Sequence, residues 1–256
     1  MIYELKETKA AAPLFEGWQE TLIWSCLQGI MGKIYVDSPE HPVSAMAVLG
    51  DFCFLAGKPD REFVLSEQSE GRQGFMIMVP GDRAWEPVIE GGLGRQAKKV
   101  VRYAIKKEPG IFDAEKLQAI VEGLPDGYTL QMMDEKLFQY CRGRSWCKDF
   151  ALQYENYTLY SKYGLGAIVL KDGIPVSGAS SYSGYIGGIE IEVGTREDHR
   201  RRGLASVCGA KLILECLERG WYPSWDAQNR WSVGLAEKLG YHFDREYTAY
   251  EVVREK

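Results

Sequence analysis

The stretch that decides the fold runs from residue 189 to residue 205 and reads IEIEVGTREDHRRRGLA. Its first residues alternate apolar and acidic side chains up to Thr195, which is the pattern of a β-strand with one buried face. A short polar loop follows, and from about Gly203 apolar residues recur at helical spacing as far as Arg219. Gly220 is a residue suited to the end of that helix. The stretch therefore predicts a strand, a loop and a helix in direct succession.

The predicted start of this helix has the composition of an anion-binding site. A helix N-terminus presents unpaired backbone N–H groups and about half a positive charge. Gly203 and Ala205 leave the backbone accessible to a phosphate. Three consecutive arginines, Arg200, Arg201 and Arg202, stand here in a chain whose formal net charge is −5. A solvated basic loop before an ordinary helix is the alternative that the charges alone leave open.

The elements around this stretch form a mixed pattern of strands and helices. A hairpin over 167–185, with an Asp-Gly turn at 171–173, precedes the strand. A strand over 222–227 and a helix from Arg230 to Leu239 follow the long helix. Because hairpins and crossovers occur together, the sheet is expected to be mixed rather than purely parallel.

Two motifs in this order resemble a known family. The spacing Arg200-x-x-Gly203-x-Ala205, placed just after a strand, resembles the acetyl-CoA signature of the GNAT superfamily of N-acetyltransferases. The segment WDAQNRWSVGLAEKLGY resembles the end of the same domain. The resemblance covers roughly residues 126–256. Within the superfamily, the WDAQN segment and the extra N-terminal half are most similar to the zwittermicin-resistance type of GNAT protein.

The resemblance implies that acetyl-CoA binds at the strand end and the helix start. Its pantetheine arm would pair like an extra strand with the backbone of the strand's last residues, and its pyrophosphate would lie on the amides of the helix start, with Arg200 and Arg202 as charge partners. The backbone positions implied are Val193, Gly194, Thr195, Arg201, Arg202, Gly203, Leu204 and Ala205. Asn229 would contact the pantetheine or the leaving thiol. It is equally a preferred N-cap for helix 230–239, and the two roles are compatible.

Two glutamates are candidates for the general base of such a transfer. Glu190 and Glu192 alternate with apolar residues, so their carboxylates share one face of the strand. If that face is partly buried, desolvation and like charge would make one of them a better base at neutral pH. A face open to solvent is the alternative. Glu192, nearer the expected acetyl position, is favoured, and Asp226 is the second choice.

The remaining catalytic tasks have less specific candidates. The backbone N–H of Val193 or Gly194 is the expected oxyanion donor. Many GNAT enzymes have a tyrosine seven residues after the asparagine to protonate the leaving thiolate, and here that position is Ala236. Ser232, Tyr241 or a water stay open as substitutes. The histidine of the loop, His199, is expected to be exposed. 

Composition excludes several other classes of function. The cysteines are scattered without a CxxC pair, and the chain has only three histidines, so no metal site is expected. The cysteines are Cys26, Cys53, Cys141, Cys147, Cys208 and Cys216, and buried, reduced thiols are expected. No apolar run reaches the length of a membrane span, and the N-terminus lacks a signal-peptide core, which predicts a cytoplasmic protein. The negative charge disfavours a nucleic-acid partner.

The N-terminal half reads as a second α/β lobe. Short apolar runs at 33–36, 44–49, 51–55, 74–79 and 99–106 predict strands. A helix is predicted from Asp113, its N-cap, to Leu124, and the turn Leu124-Pro125-Asp126-Gly127 that follows marks the expected domain boundary.

These observations predict an α/β (α+β) GNAT fold with a mixed, splayed central sheet. Residues 126–256 would form the acetyl-CoA-binding catalytic domain. Residues 1–125 would form an acceptor-side lobe or a degenerate copy of the fold. The expected activity is direct transfer of acetyl from acetyl-CoA to a primary amine of a small molecule, by a monomer or homodimer without metal, nucleic acid or membrane. A longer-chain acyltransferase and a non-catalytic CoA-binding sensor are the alternatives.

Overall fold

The computed structural model describes residues 1–71 and 74–254, which divide into two compact units. Of the described residues, the first unit contains 1–71, 74–102 and 246–254, and the second contains 103–245. The expected division into an N-terminal lobe of residues 1–125 and a catalytic domain of residues 126–256 stays a prediction.

In chain order, the strands and helices up to residue 105 are β1 (Tyr3–Leu5), α1 (Thr21–Leu27), β2 (Lys33–Val36), β3 (Ser44–Leu49), β4 (Phe52–Gly57), α2 (Arg61–Leu65), β5 (Phe75–Pro80), α3 (Trp85–Leu93) and β6 (Ala97–Ile105). The later elements are α4 (Ala114–Glu122), β7 (Tyr128–Met132), α5 (Glu135–Arg142), α6 (Tyr157–Tyr163), β8 (Gly166–Lys171), β9 (Ile174–Tyr185), β10 (Gly188–Thr195), α7 (Leu204–Glu218), β11 (Tyr222–Ser224), β12 (Asp226–Ala227), α8 (Arg230–Lys238) and β13 (Phe243–Val253). Short 3-10 turns lie between some of them.

The first unit is built on a sheet that begins as an antiparallel meander. Strands β1, β2, β3 and β4 pair antiparallel in turn, β5 then pairs parallel with β4, and the C-terminal strand β13 pairs antiparallel with β5. The crossover between β4 and β5 carries the short helix α2, whose N-cap Asp60 accepts a hydrogen bond from the backbone N–H of Glu62 at 2.8 Å. Trp85 of α3 and Phe63 of α2 are fully buried against this sheet.

The second unit repeats the same succession of connections. Strands β7, β8, β9 and β10 form an antiparallel meander, the crossover carries helix α7, and β11 pairs parallel with β10. The turn between β8 and β9 has positive φ at both Asp172 and Gly173, which is the two-residue hairpin geometry that the Asp-Gly pair predicts. The two units therefore share one succession of meander, crossover helix and parallel strand.

One helix and one sheet face form the core beneath the strand that decides the fold. Ile189 and Ile191 of β10 are buried against Leu204 and Val207 of α7, as the alternation of the strand predicts. The predicted helix after residue 112 is also confirmed as α4, where Asp113 accepts a hydrogen bond from Lys116 N–H at 3.0 Å.

Candidate functional site

The strands β10 and β11 separate halfway along β10. Their parallel pairing covers only residues 188–190 of β10, and β11 ends at Ser224. The sequence pattern predicts one strand over 222–227, and that prediction is wrong. After Ser224, the segment that follows β11 turns away from β10 at Trp225. The next strand, β12, pairs with Tyr103 and Ala104 of β6 instead. Within the described residues, the later part of β10 therefore pairs on one edge only, with β9.

The direction of the backbone groups on the open edge follows from the hydrogen bonds on the other one. Arg196 N–H donates to the carbonyl of Val176 at 2.8 Å, and the Ser177 hydroxyl donates to the Gly194 carbonyl at 3.2 Å. Alternate residues of a strand direct their backbone groups to opposite edges. The N–H groups of Val193 and Thr195 therefore point to the open edge, whereas that of Gly194 points to β9. Of the two expected oxyanion donors, only Val193 directs its N–H into the open space.

Gly194 has a steric reason to lack a side chain. A Cβ placed on it would lie 3.1 Å from Cζ of Phe150 and 3.6 Å from the carbonyl oxygen of Trp146. Both residues belong to the segment that follows α5 and covers this face of the sheet. The Ser180 hydroxyl fixes the same segment, because it donates to the Phe150 carbonyl at 2.7 Å. This segment forms a wall beside the open edge of β10.

Glu190 and Glu192 lie on the face of β10 opposite the apolar core. Glu190 is only 6% exposed and Glu192 is half-buried, so the alternative of a solvent-exposed face is wrong. Burial raises the pKa of Tyr185, and the carboxylate of Glu190 raises it further. Asp226, the second predicted base, is half-buried in β12, beyond the point where the chain leaves β10. The structure therefore brings the two glutamates together on one strand and puts Asp226 on another.

The loop before α7 has the backbone geometry of an anion site. Arg201 has φ of 60° and Gly203 has φ of 78°, so two of the residues 201–203 have left-handed backbone conformations. A residue with a Cβ, such as Arg201, adopts this conformation only at a cost in free energy. Gly203 is the N-cap of α7, no side chain caps the helix, and its first turn has no acidic residue. A methyl group on Gly203 would meet no atom within 4 Å. A helix start without a side-chain cap and without crowding at its N-cap glycine suits a diphosphate.

The side chains of the predicted cofactor loop divide into buried and exposed groups. Leu204 is buried in the core, so it offers only its backbone N–H, and Ala205 is half-buried. Arg200, Arg201 and Arg202 are all exposed. Arg200 Nε donates weakly to the carbonyl of Thr195 at 3.4 Å, and Arg202 donates to that of Asp198 at 3.3 Å. Their guanidinium groups therefore lie close to the loop backbone and remain accessible from solvent.

A polar network that the sequence reasoning missed holds this loop in shape. Arg196 binds Asp198 through two hydrogen bonds of 2.7 and 2.8 Å, and this contact lowers the pKa of the Asp198 carboxyl. The same guanidinium donates to Nε2 of His199 at 3.0 Å, and Nδ1 of His199 is 3.0 Å from the Tyr128 hydroxyl. Since arginine only donates, Nε2 accepts and Nδ1 carries the proton. The expectation of an exposed His199 is wrong, because its side chain is 12% exposed.

The start of α8 brings together the remaining candidates. Asn229 Oδ1 accepts a hydrogen bond from Ser232 N–H at 3.0 Å, which confirms the expected N-cap. The exposed Asn229 keeps its amide nitrogen available for a ligand. The Ser232 hydroxyl accepts a hydrogen bond from the indole Nε1–H of Trp225 at 3.0 Å. Ala236, which stands at the position of the usual tyrosine, is fully buried.

Tyr241 has a structural role in this region. Its hydroxyl donates to the carbonyl of Pro223 at 2.6 Å, its side chain is 1% exposed, and its ring contacts those of Trp225 and Phe112. Burial raises its pKa well above the usual value. A hydroxyl with its proton engaged in the core is a poor acid for a group outside the core.

Among residues 1–71 and 74–254, no three His, Cys, Asp or Glu side chains converge to hold a metal ion. None of the helices in that part of the chain combines the length and apolar composition needed to cross a membrane. All six cysteines are reduced and buried.

Comparisons with known proteins agree with this geometry. A model of the GNAT acetyltransferase family matches residues 12–250. The uncharacterized N-acetyltransferase YdfB of Bacillus subtilis is 29% identical over 245 residues, which cover 90% of this chain and 89% of YdfB. A GCN5-related N-acetyltransferase-like protein from Streptococcus suis has a crystal structure with a TM-score of 0.90 at 43% identity, over 96% of this chain and 98% of that one.

A more distant structure extends the likeness of the fold alone. A tandem GNAT protein from the clavulanic acid biosynthesis pathway has a TM-score of 0.53 at 11% identity, over 100% of this chain and 99% of that one. The mixed sheets, the separated strands and the family model all lead to the same assignment. The chain adopts a GNAT fold and belongs to the GNAT acetyltransferase family.

Proposed function

We propose that this protein is an acetyl-CoA-dependent N-acetyltransferase that transfers acetyl directly to a primary amine of a small molecule. The observation that carries the proposal is the open edge of β10 leading to an uncapped helix start at a left-handed Gly203. An extended amide-containing chain can pair with such an edge, and a diphosphate can bind such a helix start. Few ligands other than a CoA thioester combine both features.

The residues that would hold the cosubstrate follow from these two surfaces. The amides of Arg201 to Ala205 would bind the diphosphate, and Arg200 and Arg202 would add charge-assisted hydrogen bonds. The outward carbonyl of Val193 and the outward backbone groups of Thr195 would pair with the pantetheine amides. Gly194 would keep the wall formed by Phe150 close to this site. The amide nitrogen of Asn229 would donate to the arm near the thiol.

The proposed chemistry uses the same surfaces. Acetyl-CoA supplies an acetyl group activated as a thioester. Val193 N–H, pointing into the open edge, would donate to the oxygen that becomes negative during attack. Glu192, half-buried on the same strand, would accept the proton lost by the amine, directly or through a water. The buried Glu190 would add negative charge that favours proton uptake by Glu192. Asp226 stays the second candidate base, and the outcome of Glu192→Gln decides between them.

The proposed acceptor and cellular setting rest on the resemblance and the composition. By its resemblance to the zwittermicin-resistance type, the chain would acetylate an aminated antibiotic or metabolite. Six reduced thiols suit a reducing compartment such as the cytoplasm. A mildly acidic chain suits a cationic small molecule better than a nucleic acid. The protein would act as a monomer or homodimer, with residues 126–256 as the catalytic domain.

The test is to incubate the purified full chain with acetyl-CoA and a panel of small amines and to detect acetylated products by mass spectrometry. Transfer to at least one amine, with release of one CoA thiol per product, is the expected result. Hexanoyl-CoA and decanoyl-CoA are run in parallel, and faster transfer from either would identify a longer-chain acyltransferase. Tight CoA binding without transfer to any amine would refute the enzyme and favour a CoA-binding sensor, to which Ala236 is suited.

A further inference from the structure

Trp225 occupies the point where the two strands part. It follows the last residue of β11 that pairs with β10 and precedes β12. The side chain is only 4% exposed, and its ring meets that of Tyr241 edge-on at 5.6 Å between centroids. The indole is therefore held rigidly, and the direction of its N–H group is fixed by the packing around it.

The indole N–H is directed at the hydroxyl of Ser232. Nε1 lies 3.0 Å from Oγ, and the backbone N–H of Ser232 binds Asn229 Oδ1 at 3.0 Å. An indole only donates hydrogen bonds, so the serine oxygen is the acceptor and its own proton is available for a further acceptor. No acceptor for that proton lies within the described residues. Ser232 is half-buried, which leaves its hydroxyl accessible to a ligand.

The surroundings of this hydroxyl suit a group that becomes negative. Ser232 lies in the first turn of α8, where the helix dipole stabilises negative charge. The first turn has no acidic residue. The other candidate, Tyr241, uses its proton in the core, and Ala236 carries no hydroxyl. Of the three candidates, Ser232 is thus the one that combines an available proton with a fixed oxygen.

We propose that Trp225 is a positioning residue that aims the Ser232 hydroxyl at the leaving sulfur. This inference rests on the proposed function. As the carbon–sulfur bond breaks, its electron pair passes to sulfur, and Ser232 donates a hydrogen bond to the sulfur while keeping its own proton in the net reaction. The proton that finally binds sulfur balances the one that the amine nitrogen loses. Trp225 acts by preventing Ser232 from turning its proton elsewhere.

The experiment compares Trp225→Phe, Ser232→Ala and the double variant in the full chain. Ser232→Ala should lower kcat about tenfold or more, since one hydrogen bond to a charged group is worth that much. Trp225→Phe, which keeps an aromatic ring, should lower kcat severalfold, with KM for acetyl-CoA within twofold in both. The double variant should match Ser232→Ala alone, because the indole acts only through the serine. Ser232→Thr should restore most of the activity.

Trp221→Phe is the matched control, because this half-buried tryptophan lies four residues away and makes no hydrogen bond to α8. It should leave kcat unchanged. A loss from Trp225→Phe that is equally large in the Ser232→Ala background would overturn the inference, as would an unchanged kcat in Ser232→Ala. Neither outcome contradicts the proposed N-acetyltransferase activity, because acetyl transfer to the amine would still be observed.

A binding readout separates this inference from the reaction. With the indoles labelled with nitrogen-15, the Trp225 Nε1–H resonance is identified by its absence in Trp225→Phe. Addition of CoA should shift that resonance in the wild type and much less in Ser232→Ala. No shift at saturating CoA would refute the placement of Ser232 at the sulfur. A shift without acetylation of any amine would refute the proposed function and keep the placement.

Discussion

Replacing Gly203 by alanine tests the anion site at the start of α7. Gly203 has φ of 78°, and a Cβ there would meet no atom within 4 Å, so crowding adds nothing to the cost in the free protein. The left-handed conformation costs a residue with a Cβ about 1–2 kcal/mol. That strain lowers the population of the binding-competent loop by a factor of about 5–30. The dissociation constant for CoA should rise by at least this factor, and contact between the methyl group and the diphosphate would add to it.

Gly220 provides the matched control at the other end of the same helix. It has φ of 66°, and a Cβ there would also meet nothing within 4 Å. Gly220→Ala should therefore lower the free energy of unfolding by a similar 1–2 kcal/mol, or about 2–8 °C in Tm. It should leave CoA affinity within twofold. The two variants thus share the strain and differ only in distance from the ligand.

Isothermal titration calorimetry with CoA, together with thermal unfolding of both variants, measures these quantities. Wild-type affinity in Gly203→Ala, with the expected loss of stability, would refute the assignment of the diphosphate to this helix start. An equal loss of affinity in Gly220→Ala would mean that the stability of α7, rather than the geometry at its start, controls binding. A weaker affinity confined to Gly203→Ala is the result that the structure predicts.

Three further predictions concern single side chains. Glu192→Gln should lower turnover more at neutral pH than at high pH, where the amine is already neutral; an equal loss in a pH–rate profile at both would argue against a general base. Tyr241→Phe should cost about 1–3 kcal/mol in urea unfolding, because it leaves a buried carbonyl without its donor, and should leave kcat unchanged; a large fall in kcat would restore Tyr241 as the acid. Lys211 and Arg219 lower the pKa of Glu215, so Glu215→Gln should cost up to about 1 kcal/mol at pH 7. Because the pKa of this carboxyl is lower in the folded than in the unfolded state, the difference in stability should shrink as the pH falls below about 4.5 and vanish below the folded-state pKa. A difference that persists at still lower pH would contradict this explanation.

Local signals in the sequence are sufficient for much of this fold. The strand before Thr195, the left-handed turn at Asp172 and Gly173 and the N-caps at Asp113 and Asn229 all depend on neighbours close in the chain. For that reason the loop between β10 and α7 could also be located from the sequence. These features follow from period, charge and turn chemistry without knowledge of distant contacts.

The features that the sequence did not reveal depend on residues far apart in the chain. The alternation of YPSWDA is the same whether one strand continues or two strands meet at Trp225, since the choice rests on pairing with residues 103–104. The burial of Glu190 could not be predicted, because the covering of its strand face is decided by tertiary packing. The bond between Trp225 and Ser232 joins two elements whose orientation is set by the core. Each missed feature is therefore a tertiary contact rather than a local preference.

The crossover helices of the two units, α2 and α7, begin with different N-caps. In the first unit, the crossover after the fourth strand also leads into a helix, but the carboxylate of Asp60 already occupies the first-turn N–H of Glu62, and that helix is only five residues long. A negative side chain thus stands in that unit where an incoming anion would have to bind. In the second unit, the N-cap of α7 is Gly203, and three arginines precede it in the chain. The two crossover helices therefore differ at their first turn: an aspartate side chain caps α2, whereas no side chain caps α7.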